Sequence, residues 1–434
     1  MTAKANSKVR QPIIAGLDIG STKVSLVIGT IAQKENASGH IDHTIDIVGL
    51  GTAPNNGIRQ GVVVNVEATI EAITKAREEA ELMSGYKITD VYVGIGGTHV
   101  KSFDSRGMIA IRNKEVKADE ISRVIEAAKA VAVPADREVL HVLPREFKID
   151  DQAGIFDPIG MSGVRLEANV HIITAGQTAL QNIIKCTEKS GLRVRGLVLQ
   201  QLASALAILS EDEKKLGAAV VDIGGGTSDI LIYAAGSVAY TSTVPVGGQH
   251  FTQDIAMGLR TPQTSAEAVK RKYGCAIADL IDENETIEVE GVGGRKPRAL
   301  LRKDLCEVIE PRAEETMGLI WQEIRKSGLD AQIGSGVVLT GGACQLEGLL
   351  EMGEFIADVP VRKGMPERIG GLTDIVKLPE CATAVGLLVY GLENMSAHDR
   401  KLMANSSMTD AAPIADAMTG FAKKVKEFFN GALG

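Results

Sequence analysis

Two stretches of the chain share one pattern of apolar and small residues. In residues 13–31, and again in residues 220–232, an apolar run ends in Asp-Ile-Gly, turns through small residues and resumes as a second apolar run. Apolar, β-branched runs on both sides of such a turn predict β-hairpins. A pattern that recurs after about 200 residues indicates two similarly built halves that face one ligand.

Periodicity predicts most of the other elements. The predicted helices are Val66–Ser84, Asp119–Val131, Leu180–Ser190, Gly196–Leu209, Gln263–Tyr273, Leu305–Lys326, one that begins at Leu346, and Ala382–Gly391. The predicted strands outside the hairpins are Val91–Ile95, Met108–Ile111, Glu138–Pro144, Val170–Ala175, Ile287–Val292 and Val337–Thr340. Residues 150–163 are expected to form a loop, and Pro311 is expected near the first turns of its helix, where proline is tolerated.

The end of the chain has a different character. From residue 394 to 416 the apolar periodicity disappears, which predicts a flexible linker. From residue 417 to 434 the apolar residues fall on one face of a predicted helix, with lysines off that face. Amphipathicity alone does not distinguish docking on a membrane from docking on a protein. The long linker favours a membrane, because a helix docked on its own core would not need a tether.

Composition limits the classes of function. The 434 residues are expected to form two or more domains. A net charge of −8 and an aromatic content of 3% argue against nucleic-acid binding. The five scattered cysteines, without a CxxC pair, favour a reducing compartment and no structural zinc. Since neither a secretory signal nor a long apolar run is visible, we expect a protein of cytosolic origin.

The second hairpin contains an acidic residue followed by three glycines. At Asp222–Thr227 the glycines remove every Cβ from one side of the turn, so backbone N–H groups can approach an anionic ligand. Asp222 would repel a phosphate, but Mg²⁺ can stand between a carboxylate and phosphates. A hairpin that merely turns explains this stretch equally well when it is considered alone. The first hairpin, with Asp18 at the matching position, favours phosphate binding.

Together these motifs resemble the signature segments of the actin, Hsp70 and hexokinase superfamily of ATP-binding proteins. The two Asp-Ile-Gly turns, a Gly-Gly turn after a buried strand, and two helices rich in small residues follow the superfamily's order. The resemblance implies an α/β fold with two actin-like (ribonuclease-H-like) domains and a small α+β subdomain inserted in the first.

The resemblance also implies which residues hold ATP and Mg²⁺. Asp18 and Asp222 would hold Mg²⁺ through water. The residues implied to bind the nucleotide are Asp18, Gly20, Ser21, Thr22, Lys23, Asp222, Gly224, Gly225, Gly226, Thr227, Glu267, Lys270, Gly341 and Gly342. For Glu267 and Lys270, an ion pair on a helix surface is an alternative explanation.

The chain departs from Hsp70-type relatives at Gln200, where they have a glutamate that helps to order the hydrolytic site. A neutral amide can position water but cannot act as a base near neutral pH. We therefore expect at most a slow ATPase, in which ATP is mainly a conformational ligand.

Within the superfamily, the inserted subdomain and the C-terminal helix are similar to those of the FtsA family of bacterial cell-division actins. Residues 139–144, 160–165, 308–312 and 383–388 carry this similarity. The implied domains are 12–88 with 168–197 (subdomain 1A), 89–167 (inserted subdomain 1C), 198–245 with 333–393 (2A), 246–332 (2B), the linker 394–416 and the amphipathic helix 417–434.

Similarity to FtsA also implies partners. The protein would polymerise at the cytoplasmic membrane face, tether the FtsZ ring and help to recruit later division proteins. The residues implied to contact anionic lipid are Phe421, Lys424, Val425, Phe428, Phe429 and Leu433. The acidic-hydrophobic FtsZ tail would bind Arg312, Arg302 and Arg298 of subdomain 2B, for which a solvated charged surface is the alternative. For the whole protein, the alternative is a small-molecule phosphotransferase of the same fold.

Overall fold

The computed structural model describes residues 12–35, 41–131, 133–367 and 369–395. These residues form nineteen β-strands and eleven α-helices, arranged around three larger sheets. None of the described helices is both long and apolar enough to cross a membrane. The predicted C-terminal helix, with its proposed lipid-contacting residues, and the predicted linker from residue 396 onward lie outside the described residues.

A six-stranded sheet forms the first half. Its strands, in spatial order, are β11 (Arg193–Leu199), β6 (Asp90–Ile95), β1 (Ile13–Ile19), β2 (Lys23–Glu35), β3 (Ile41–Pro54) and β19 (Ile369–Gly371). Helices α1 (Val66–Ser84) and α3 (Gln177–Lys189) cover one face, where Leu17 and Leu26 are buried. A short hairpin of β4 (Ile58–Arg59) and β5 (Val62–Val63) connects β3 to α1.

Local sequence accounts for both ends of α1. The Asn65 side chain accepts a hydrogen bond from Ala68 N at 3.1 Å, which satisfies one of the unpaired N–H groups at the helix start. Gly85 follows the helix with a φ of 70°, a left-handed conformation that glycine adopts without strain. The predicted bounds of this helix are therefore confirmed.

A four-stranded antiparallel sheet is inserted between β6 and α3. Its strands, in spatial order, are β7 (Val100–Ala110), β10 (Arg165–Gly176), β8 (Arg137–Ile149) and β9 (Gln152–Ile155). Helix α2 (Ala118–Lys129) packs closely on this sheet, because a Cβ on Gly107 would overlap the carbonyl oxygen of Val124. The inserted unit begins and ends later in the chain than the predicted 89–167. Strand β6 belongs to the six-stranded sheet, whereas all of β10 belongs to the insertion.

A five-stranded sheet forms the second half. Its strands, in spatial order, are β14 (Ser237–Val244), β13 (Ser228–Ala234), β12 (Ala218–Ile223), β17 (Val337–Thr340) and β18 (Val361–Lys363). The helices on its outer face are α6 (Gly248–Gly258), α7 (Gln263–Tyr273), α8 (Arg302–Lys326) and α9 (Leu349–Ala357). The remaining elements are the hairpin of β15 (Thr286–Val289) and β16 (Arg298–Leu301), and the short helices α5 (Glu211–Leu216) and α10 (Thr373–Val376).

Two helices lie between the large sheets. Helices α4 (Gln200–Ile208) and α11 (Ala382–Glu393) share one apolar cluster with Val27 of β2 and Val220 of β12. Their small residues allow close packing, because a Cβ on Gly386 would overlap the backbone of Ala203. The two halves therefore share a central apolar layer.

Besides shifts in the ends of several elements, three predictions along the chain differ from the structure. Gly196–Leu199, predicted as the start of a helix, belongs to β11, which pairs with β6 before α4 begins. Helix α8 begins at Arg302 and not at Leu305, because its first turn is polar and gives no apolar signal. Pro311 therefore lies well inside the helix and not near its first turns. The predicted loop over 150–163 contains β9, which pairs with the end of β8.

Candidate functional site

The two predicted hairpins have the same geometry at their turns. In the first, Gly20 N donates to Lys23 O at 2.9 Å, and in the second, Gly224 N donates to Thr227 O at 2.9 Å. Each turn directly follows a buried strand, β1 or β12. The recurrence found in the sequence is therefore a structural recurrence.

The two turns lie against each other. A Cβ on Gly225 would lie 2.5 Å from Thr22 Cγ2, and one on Gly226 would lie 3.0 Å from Ser21 Oγ. A side chain at Gly225 would displace Thr22, so this approach requires the glycine. The turn residues of both halves consequently line one common site.

Asp18 lies at the base of this site, as the second-last residue of β1. Gln200 Nε2, at the start of α4, donates to Asp18 Oδ1 at 2.7 Å. Burial and repulsion by Asp222 raise the pKa of Asp18 to about 7, although the hydrogen bond from Gln200 opposes the shift. The structure thus brings Gln200 into the site, in contact with its first carboxylate.

Asp222 is held by hydroxyl groups from both central helices. Ser204 Oγ of α4 donates to Asp222 Oδ2 at 2.8 Å, and Thr383 Oγ1 of α11 donates to the same oxygen at 3.0 Å. Burial raises the pKa of Asp222, and these hydroxyls oppose the shift. Neither Ser204 nor Thr383 was predicted as a site residue, because in the sequence each is one small residue among others in an apolar helix.

These two carboxylates fit a cation that is shared with a phosphate ligand. Mg²⁺ is typically held by one or two carboxylates together with phosphates and water, and its charge would relieve the repulsion between Asp18 and Asp222. In the part of the chain that the structure describes, no group of three or more His, Cys, Asp or Glu side chains could hold a metal alone. The donor set therefore suits Mg²⁺ bound with a nucleotide better than a metal held only by protein.

Asp229 is a site residue that was not predicted. It pairs with Asp222 in the register of β12 and β13, and it accepts hydrogen bonds from Thr243 Oγ1 at 2.6 Å and from Thr227 Oγ1 at 3.0 Å. Burial raises its pKa to about 6, with a further contribution from Asp222, while hydrogen bonds from Thr243, Thr227 and the Gly97 backbone oppose the shift. Its place three residues after the last glycine of the motif was the available signal.

We expect the stability that protonated Asp18 and Asp229 contribute to the ligand-free protein to be lost as the pH rises from about 4 to about 8. The pKa values of Asp18 and Asp229, about 7 and about 6 in the folded protein, lie above that of an unfolded aspartate, which is about 4. Because the folded state binds these protons more tightly, deprotonation favours unfolding. Chemical denaturation of the wild type and of the Asp18→Asn protein at a series of pH values isolates the contribution of Asp18 from that of other groups, such as His141, whose pKa burial lowers to about 4. A stability difference between the two proteins that stays constant over this range would contradict the prediction.

Lys23, which the family resemblance implies to bind the nucleotide, joins the two halves. Its Nζ lies 3.0 Å from Glu380 Oε1, just before α11. Lys23 also acts to lower the pKa values of Asp18 and Asp222. Glu380 was not predicted as a site residue. It lies close to Gly342, since a Cβ on that glycine would lie 3.8 Å from the Glu380 carboxylate.

The third Gly-Gly turn lies beside the second hairpin. Gly341 has a φ of +84°, and a Cβ there would overlap Asp222 Oδ1. Thr340 Oγ1, at the end of β17, donates to Pro379 O at 3.1 Å, which fixes the strand end near α11. The structure therefore brings Gly341 and Gly342 to the same site as the two hairpins, and their contact with adenosine stays a prediction.

Glu267 and Lys270 form more than a surface ion pair. Lys270 Nζ lies 2.7 Å from Glu267 Oε2 and also donates to Thr252 Oγ1 at 2.8 Å and to Gly248 O at 2.9 Å. Gly248 N in turn donates to Gly224 O at 2.8 Å, so this network adjoins the second turn. The Lys270 side chain is 13% exposed, and burial lowers its pKa. Contact of the pair with nucleotide stays a prediction.

Two of the three predicted tail-binding arginines lie along α6. Arg312 Nε lies 2.5 Å from Asp254 Oδ2, and its guanidinium also pairs with Glu315. Arg298 Nη2 donates to Leu259 O, at the C-terminal end of α6, at 2.5 Å. Both groups therefore flank the same helix.

Arg302 has a different environment. It donates to Tyr273 O at 2.8 Å and pairs with Glu285 at 3.0 Å and with Glu347 at 2.5 Å. These contacts hold the start of α8 to the end of α7. Arg302 is thus engaged in joining elements of the subdomain, away from the α6 surface.

Comparison with protein families agrees with this architecture. Residues 219–386 match the family described as "Cell division protein FtsA". Residues 97–174 match "SHS2 domain inserted in FTSA", which coincides with the inserted sheet and places its start later than predicted.

Individual proteins give the same result. The chain is 46% identical over 406 residues to the cell division protein FtsA of Pseudomonas aeruginosa, which covers 94% of this chain and 95% of that protein. The structure of the PilM-PilN type IV pilus biogenesis complex matches with a TM-score of 0.60 at 18% identity, over 87% of this chain and 98% of that one. MreB5 of Spiroplasma citri bound to ADP matches with a TM-score of 0.51 at 13% identity, over 91% of this chain and 99% of that one. The chain therefore belongs to the FtsA family of cell division proteins and has an actin-like α/β fold with an inserted SHS2 domain.

Proposed function

We propose that the protein binds ATP with Mg²⁺ between its two hairpins and uses the nucleotide to control an actin-like polymer at the division site. The observation that carries this proposal is the close approach of two matching turns, with Asp18 and Asp222 at their bases. Backbone amides of both turns would bind the phosphates, and bound Mg²⁺ would neutralise the carboxylates. MreB5, which shares the fold, is bound to ADP in its structure, and this supports the proposal.

Gln200 supports slow turnover. It occupies the position beside Asp18 where a base would be useful, but its amide donates a hydrogen bond to that carboxylate at 2.7 Å. A neutral amide can position water without accepting a proton from it. We therefore propose that ATP acts mainly as a ligand that stabilises one conformation of the two halves.

The polymer would tether the FtsZ ring to the cytoplasmic face of the membrane and help to recruit later division proteins. The amphipathic pattern of residues 417–434 supports membrane attachment, because phenylalanines can enter the acyl boundary while lysines meet anionic head groups.

The surface along α6 supports binding of an acidic-hydrophobic peptide such as the FtsZ tail. Met257 is 71% exposed between the positions at which Arg312 and Arg298 contact α6. An exposed apolar side chain flanked by two guanidinium groups suits a peptide that carries both apolar and carboxylate groups. Arg302 lies away from this surface, so we propose a smaller role for it.

The charge of Arg312 should decide binding of the tail. We expect Arg312→Glu to weaken binding of an FtsZ C-terminal peptide by at least about tenfold, because one charge-assisted pair is lost and a repulsive one is gained. Fluorescence anisotropy with a labelled peptide measures the affinity. Arg325→Glu, an exposed position at the other end of α8, is the matched control. Equal affinity of the Arg312→Glu protein and the wild type would remove Arg312 from the site.

Electron microscopy on an anionic lipid monolayer tests the proposed function as a whole. We expect filaments with Mg–ATP and none without nucleotide. Deletion of residues 420–434 should abolish binding to anionic vesicles while ATP binding is retained, because the helix contributes lipid contacts only. Filaments that form equally well without nucleotide, or ATP turnover that begins only with an added small-molecule acceptor, would contradict the proposal.

A further inference from the structure

The loop that follows β3 lies directly beside the first turn. Asn55 N donates to Thr22 O at 2.9 Å, and Asn55 Nδ2 donates to Gly20 O at 2.7 Å. Asn55 is only 5% exposed. One buried residue therefore satisfies two carbonyl groups of the turn that we propose to bind phosphate.

The same side chain fixes its own position against α1. Asn55 Oδ1 accepts a hydrogen bond from Gly57 N at 2.9 Å. Gly57 O accepts from Val64 N at 2.8 Å and from Asn65 N at 3.1 Å, immediately before the helix. A Cβ on Gly57 would overlap Thr69 Oγ1, so the loop lies flat on the first turn of α1. Asn55 is thus anchored to a rigid element and not to a free loop.

The far end of the loop reaches the second turn. Gln60 N lies 3.6 Å from the position of a Cβ on Gly226. Gln60 O accepts from Thr98 N at 3.4 Å, and Gly61, with a φ of +82°, packs backbone to backbone against Gly97. Residues 55–61 therefore contact the first hairpin turn and the start of the inserted unit, and they lie close to the second turn.

We infer that residues 55–61 form a third wall of the nucleotide site and that Asn55 is a positioning residue for the first phosphate-binding turn. The carbonyl of Gly20 shares a planar trans peptide with the N–H of Ser21, so holding the carbonyl orients that N–H in the opposite direction. Asn55 acts on the phosphate through this amide and does not touch the nucleotide. The inference rests on the proposed ATP binding and adds a residue that no motif indicated.

Three variants test the role of Asn55. Asn55→Asp keeps the acceptor for Gly57 N but replaces the donor to Gly20 O by an oxygen, while Asn55→Ala removes both. Asn56→Ala changes the neighbouring exposed asparagine and is the matched control. Isothermal titration with Mg–ATP and with adenosine separates phosphate binding from base and ribose binding, and thermal unfolding reports on folding.

We expect Asn55→Asp to weaken Mg–ATP binding by about tenfold and to leave adenosine binding within about twofold of the wild type. The control should change neither affinity. Unchanged ATP affinity in both Asn55 variants would overturn the inference. Equal losses of Mg–ATP and adenosine affinity, together with a lower melting temperature, would also overturn it, because they indicate a purely structural role. A wild-type protein that binds neither ligand would overturn the nucleotide proposal itself, and this inference with it.

Discussion

Replacing Asp18 by asparagine should stabilise the ligand-free protein and weaken Mg–ATP binding at least about a hundredfold. Burial and the charge of Asp222 raise the pKa of Asp18 from 3.8 to about 7, so its ionised form destabilises the folded state at pH 8. Asparagine removes that charge and keeps an oxygen that can accept the hydrogen bond from Gln200. We expect a gain of about 1–3 kcal/mol in the free energy of unfolding at pH 8.

Two measurements separate the effects of this change. Urea denaturation of the ligand-free protein measures its stability, and titration with Mg–ATP measures binding. We expect binding to weaken at least about a hundredfold, or about 3 kcal/mol, because a neutral amide attracts hydrated Mg²⁺ much less than a carboxylate does. Asp212→Asn, an exposed aspartate in the first turn of α5, should change neither quantity appreciably. A protein carrying Asp18→Asn that binds Mg–ATP as tightly as the wild type would refute the role of Asp18.

The parts of the site that could be predicted are those formed by consecutive residues. A strand, a glycine turn and a second strand carry their conformation locally, so Asp18 and Asp222 were placed correctly relative to their turns. The helices α4 and α11 were recognisable because small residues permit close packing, and the Gly386–Ala203 contact confirms that reading. The fold class was implied by the resemblance of these motifs, in their order, to the actin, Hsp70 and hexokinase superfamily.

The parts that could not be predicted depend on contacts between distant segments. Ser204 and Thr383 hold Asp222 from two helices far apart in the sequence, and a hydroxyl in an apolar helix has no distinguishing pattern. Asn55 lies in a loop that resembles any polar connection until the structure brings it to Gly20. Gly196–Leu199 is a strand only because β6 lies beside it, and periodicity over so few residues cannot distinguish a buried strand from a buried helix.

Gly386→Ala should destabilise the protein more than any surface substitution. The added Cβ would overlap the backbone of Ala203, so α4 and α11 would have to separate at the layer that both halves share. We expect a loss of about 2–4 kcal/mol in the free energy of unfolding, which urea denaturation measures. ATP affinity should fall as well, because these helices carry the hydroxyls of Ser204 and Thr383 that hold Asp222.

Gly318→Ala, in the long helix α8, is the matched control for this substitution. A Cβ on Gly318 would meet no atom of the described residues within 4 Å, so alanine should stabilise the helix by about 0.5–1 kcal/mol through its higher helix propensity. The same chemical change should therefore have opposite signs at two helical glycines. If Gly386→Ala were as stable as the wild type, the two halves would not be locked through α4 and α11, and the coupling between this layer and Asp222 would have to be abandoned.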